Sequence, residues 1–144
     1  MGEAVGFVLV AFGDLESGVN EVLSSSQVFE VLFAKHIWYL TRASRSIVPG
    51  TMLLFYENGV GVKGEALVKS VDAVKNFVLQ PSLRSFFKVE VLLKTTRRFR
   101  NPVSLRPIVA DLGFIANKIY WGHSVRNTPR LISRKDYDRI LRAC

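Results

Sequence analysis

The sequence predicts a small α+β domain in which four or five twisted strands, with short helices at their joints, gather into a partly closed β-barrel. Three observations lead there. Val5–Phe12 is apolar on both faces and rich in β-branched and aromatic residues, the pattern of a central strand covered on two sides. Two later segments alternate with a period of two: Val62, Gly64, Ala66 and Val68 against Lys63, Glu65, Leu67 and Lys69, then Phe87, Val89, Val91 and Leu93 against Lys88, Glu90, Leu92 and Lys94. Turn chemistry separates the runs, with Val48-Pro49-Gly50 before the strand Thr51–Tyr56 and the hairpin signal Asn58-Gly59, suited to a type I′ turn, after it.

The remaining elements follow in chain order. Asp14 is suited to cap a helix over Leu15–Ser24, where Leu15, Val19, Val22 and Leu23 fall at helical spacing and the serines at 24–26 end it. Residues 27–40 read either as strand or as irregular apolar chain, with Ile37–Leu40 favouring a short strand. The small residues Gly64 and Ala66 imply a tight interior or a close crossing of another element. Ala73–Ser82 reads as a short helix or loop, and Arg97–Pro102 as a loop that ends the strand begun at Phe87. Val103–Leu112 reads as a short helix entered through Pro102, with Pro107 in its first turns. Ser133 and Asp136 form a capping-box-like start to a final helix with Tyr137, Ile140 and Leu141 on its apolar stripe. At 144 residues, with no repeat or linker, the chain is expected to be a single domain over 1–144.

Composition excludes several classes of function. Cys144 is the only cysteine and His36 and His123 the only histidines, so no zinc spacing exists and no metal or cofactor is expected. No apolar run approaches the ~20 residues of a membrane span, and no basic segment precedes the first, so a cytoplasmic location is expected. Paired carboxylates, a nucleophile elbow, a phosphate-binding glycine loop and HExxH are all missing. Asp136 and Asp138, two apart on a helix, face different ways. The expectation is a protein that is not an enzyme.

Charge points to a partner. The net charge is +8, and it is unevenly spread. Residues 1–72 carry eight acids and five bases (−3), whereas residues 73–144 carry fifteen bases and four acids (+11). Such a field attracts polyanions.

The order of motifs resembles the EVE domain of the PUA-like superfamily, relatives of YTH domains. It runs from Lys35-His36-Ile37-Trp38 through the Val-Pro-Gly turn to Met52–Tyr56 and Gly64–Val68. It continues with Phe86–Val91, Pro102–Ile108, Leu112–Ile115, Trp121 and Ile132–Ile140. The resemblance covers about residues 5–142 and implies a non-catalytic nucleic-acid-binding module, one that reads a modified base flipped into an aromatic pocket. RNA or modified DNA is the expected partner. Trp38, Ser44, Phe86, Trp121 and His123 are the candidate pocket residues, because a flipped base needs aromatic walls and hydrogen-bonding groups. Arg42, Arg84, Lys88, Lys94, Arg97, Arg98, Arg100, Arg126 and Arg130 are the candidate phosphate contacts, with 94–100 the densest cluster. The alternatives are a small-molecule or nucleotide-binding barrel and an accessory subunit of an RNA-modifying enzyme.

Overall fold

The computed structural model describes residues 4–16, 22–119, 121–122 and 128–144. Its elements are β1 (Gly6–Phe12), β2 (Leu15–Glu16), β3 (Val22–Leu23), α1 (Ser25–Ala34), β4 (Ile37–Leu40), β5 (Thr51–Glu57), β6 (Gly61–Ala73), a 3-10 turn at Pro81–Phe86, β7 (Val89–Val103), a second 3-10 turn at Arg106–Asp111, β8 (Arg130–Ile132) and α2 (Arg134–Arg142). Six strands form one mixed sheet in the order β4-β7-β6-β5-β1-β8, and β2 pairs with β3 apart from it. Only β1 and β5 run parallel; the other neighbours are antiparallel.

The doubly apolar reading of the first strand holds. β1 lies between β5 and β8, and its side chains supply both cores. Val8, Val10 and Phe12 enter one with Leu53 and Phe55, under α1 and β4. Leu9 enters the other with Leu54 and Tyr56, against the second 3-10 turn and α2. A strand buried on both faces has no room for alternation, which is why its sequence shows none.

The described ends of the helix expected at Leu15–Ser24 are strand instead. Leu15–Glu16 pairs with Val22–Leu23, and α1 starts where that helix was to end. The cause is a capping box: Ser24 Oγ accepts from the Gln27 amide at 3.2 Å, while Gln27 Oε1 accepts from the Ser24 amide at 3.0 Å. Val28, Phe29, Leu32 and Phe33 then form the buried stripe. His36, at φ 54°, turns the chain out of the helix and into β4.

The long β6–β7 hairpin also departs from expectation. The stretch read as a loop, 97–102, continues β7 against β6, with Arg97 opposite Glu65 and Arg98 opposite Gly64. Val103–Leu112 is not one helix; its turn is limited to Arg106–Asp111. The Asn58-Gly59 turn is not type I′, since Gly59 takes a positive φ (79°) and Asn58 does not. The close crossing expected at Gly64 is real. A Cβ there would lie 2.6 Å from the Arg97 carbonyl oxygen and 3.0 Å from Phe33 on α1.

The sheet curls without closing into a barrel. β1 and β4 are separated by three strands, yet the Phe12 and Trp38 rings meet at 5.3 Å across the first core. The two outer strands, β4 and β8, do not pair with each other. Twist and register shifts in β6–β7, near Val62/Gly64, Leu67/Val68 and Val68/Ser70, provide the bend.

Candidate nucleic-acid interface

The curl leaves a cavity of about 220 Å³ between the end of β1, α1 and the end of β4. Phe12, Leu32, Trp38, Leu79 and Phe87 give it apolar walls, and Thr41, Arg42 and Thr128 supply side-chain polar groups. Its volume falls below the ~300–1,000 Å³ of drug-sized sites, so it suits a single ring system rather than a larger metabolite. The walls are firmly held. Trp38 is 3% exposed and packs on Phe55 at 4.6 Å as well as on Phe12. Tyr39 packs on Phe77 and Phe87 at 4.9 and 5.8 Å. Its hydroxyl donates to the Asn76 carbonyl at 2.8 Å and accepts from the Val78 amide at 3.1 Å. Burial above all raises the pKa of that phenol. Thr128 Oγ1 accepts from the Ala11 amide at 3.0 Å, which keeps its own proton for another acceptor.

Cations flank the opening. Arg42 is exposed and makes no ion pair among the described residues. Lys88 is also exposed, and its amide donates to the Leu40 carbonyl at 2.9 Å, which sets it across from Thr41. Phe86, 53% exposed, belongs to the 3-10 turn rather than to the outward side of a strand, and directly precedes the cavity residue Phe87.

Other predicted residues lie elsewhere. Trp121 packs in the second core, across the sheet from Trp38, so the aromatics at 38, 86 and 121 do not share one cleft. Ser44 is half-buried, and its carbonyl accepts from the Ile47 amide at 3.3 Å. His123 and Arg126 lie outside the described residues. Arg84 donates to the carbonyls of Phe87 and Val74, both at 3.3 Å, and so braces the turn behind the cavity. Arg130 donates to the Phe114 carbonyl at 2.9 Å and sits over the Phe114 ring.

The basic run 94–100 is divided by the strand it lies on. Arg97 meets Glu65 at 3.6 Å and covers the Phe99 ring, on the side of the second core. Arg98 pairs with Glu30 of α1, on the other side. The sequence shows no acid nearby, but the fold brings two. Lys94 and Arg100 stay exposed, without ion-pair partners among the described residues. Sequence reasoning missed Phe12, Phe87 and Thr128 as cavity residues. Phe87 had a signal, as the inward residue beside exposed Phe86, whereas Thr128 had none.

A polar network fixes α2 to the opposite face. Asp136 accepts from the amides of Gly113 and Phe114 at 2.8 and 3.0 Å, so its carboxylate is turned away from a capping-box role, while Ser133 still caps the Asp136 amide at 3.1 Å. The Tyr137 hydroxyl donates to Glu65 at 2.8 Å. Burial first, then the Glu65 carboxylate, pushes the Tyr137 phenol well above its ordinary value of 10. Here the folded chain holds its proton more tightly than the unfolded chain, so stability is complete below about pH 10 and falls as pH rises beyond it. Replacing Tyr137 with Phe is therefore expected to flatten the alkaline fall in urea midpoint between pH 9 and 11. An unchanged slope would show that another group causes it.

No family model matches this sequence, and no curated protein matches it. Solved structures do. ASCH from Zymomonas mobilis superposes with a TM-score of 0.60 at 7% identity, over 95% of this chain and 94% of that one. A tyrosine-to-phenylalanine variant of the same protein, ZmASCH, gives 0.63 at 6% identity, over 95% and 97%. A serine-to-alanine variant gives 0.60 at 9%, over 95% of each. The fold is that of these ASCH structures. These neighbours are ASCH structures rather than EVE domains, so the likeness is one of fold, and the EVE assignment that the motif order implied is not shown. In this chain the scaffold carries its cavity at the open end of a curled sheet, beside Arg42 and Lys88.

Proposed function

We propose that this chain is a non-catalytic nucleic-acid-binding domain that takes one unstacked base, in particular a modified one, into the cavity between Phe12, Trp38 and Phe87. The carrying observation is an apolar, aromatic-walled cavity of single-ring size with Arg42 at its rim. Its walls match what a flipped base requires, and the exposed Arg42 and Lys88 match what the adjoining phosphates require. The ASCH neighbours and the net charge of +8 are consistent with an RNA or DNA partner. An apolar wall also favours a base bearing an added methyl group, at about 0.8 kcal/mol for each buried carbon.

The test is a salt titration of binding to single-stranded oligonucleotides, followed by tryptophan fluorescence. Affinity is expected to fall linearly with salt on a log–log plot. Arg42→Glu is expected to weaken binding roughly tenfold at 50 mM salt, since it removes one phosphate contact and adds repulsion. Absence of binding by the folded wild type at that salt would overturn the reading. The cavity volume also admits the base of a free nucleoside or another small ring compound. Binding that is indifferent to oligonucleotide length would favour that ligand instead.

A further inference from the structure

Two of the register shifts in the β6–β7 hairpin fall together. Between Leu67/Val68 the pairing omits Lys94, and between Val68/Ser70 it omits Lys69. Each lysine is therefore the extra residue of a bulge, a device that re-aims a side chain out of the regular ladder. Both are exposed, and both line one open groove of about 590 Å³ together with Pro49 and Gly50. No acidic residue lines that groove, and neither lysine has an ion-pair partner among the described residues. The amide of Gly50 donates to the Val68 carbonyl at 2.9 Å, which fixes the turn against the bulged strand.

One loop contributes residues to both the groove and the cavity. Loop 41–50 begins with Thr41 and Arg42 at the cavity and ends with Pro49 and Gly50 at the groove. Arg45, exposed, lies midway, and the loop contains no acid. Lys94 lies six positions beyond Lys88, which directly precedes β7, a span of roughly 20 Å at about 3.3 Å per residue. At about 3.4 Å per stacked nucleotide, that span covers about six nucleotides.

We propose that Lys69 and Lys94 form a second phosphate site, which holds the backbone of the same single strand whose base enters the cavity. This rests on the nucleic-acid reading of the cavity and adds to it a track, a length and a direction across the sheet. Lysine suits the site because phosphates along a flexible strand need point charges more than a fixed fork.

The experiment compares the wild type with the Lys69→Gln/Lys94→Gln double variant against a nucleoside monophosphate, a trimer and a decamer at 50 mM salt. The wild type is expected to gain affinity from trimer to decamer. The double variant is expected to lose that gain, by roughly tenfold per lysine, and its log–log salt slope is expected to be shallower by about 0.7 per lysine. Its affinity for the monophosphate should be unchanged. If the double variant binds the decamer as the wild type does, the second site is refuted while the cavity reading stands. Loss of monophosphate binding would also refute it, since groove and cavity would then not be separate sites. If the wild type binds none of the three, both readings fall.

Discussion

Phe29→Ala is expected to destabilise the protein by about 3–5 kcal/mol, read as a drop in urea midpoint at unchanged slope. Phe29 is 1% exposed and contacts four aromatic neighbours: Phe33 at 4.1 Å, Phe12 at 5.6 Å, Phe55 at 6.3 Å and Trp38 at 6.5 Å. Lys63 Nζ also lies 5.2 Å from its ring centre. Truncation removes all of these contacts at once, and rigid aromatic neighbours collapse poorly into the space. The loss is a large share of the ~5–15 kcal/mol that holds a domain of this kind together. It has a functional side too, because Phe12 and Trp38 form cavity walls as well as contacts of Phe29. A midpoint within 1 kcal/mol of wild type would show that this cluster is not the packing centre described.

Gly64→Val is expected to cost about 3 kcal/mol, for the opposite reason. The site has no volume to give. A Cβ would approach the Arg97 carbonyl oxygen to 2.6 Å, and a backbone atom in a ladder cannot swing aside as a side-chain tip can. Gly64→Ala should already be measurably harmful, with valine worse. Phe29 lies 3.3 Å from the same imagined Cβ, so the two substitutions should not add. Combined with Phe29→Ala, the valine loses one clash but keeps the one with Arg97. Equal stability of Gly64→Val and wild type would mean that β7 does not pass where it is described.

The parts of the fold governed by local pattern were legible. Residues 64–68 alternate because Gly64, Ala66 and Val68 face the first core, and Gly64 stood out as too small for anything but a close crossing; Val62, read on the same side, lies across a register shift and packs in the second core. The start of α1 was legible in principle, since Ser24 and Gln27 are three apart, but the apolar pairs 28–29 and 32–33 suit strand and helix alike. The extension of β7 was not legible. Arg97–Asn101 has no apolar alternation, and only the partner strand, with Glu65 and Gly64, makes it a ladder. The cavity was half legible. Trp38 and Arg42 are neighbours in sequence, but Phe12 reaches them only because the sheet curls, and no short stretch of sequence encodes a curl. The split of the basic run between Glu65 and Glu30 has the same non-local origin.

The position of β1 also dictates an order of assembly. β5, β6 and β7 are joined by hairpins and can pair as soon as they are made. β1 must wait: Val8 pairs with Leu53 on one side and with Leu131 on the other. During synthesis the most apolar strand is thus the first to appear and the last to be enclosed. Until residue 132 emerges, one edge of it stays open to any other unpaired strand. The short strand β8 contributes little area, but it is what ends that exposure.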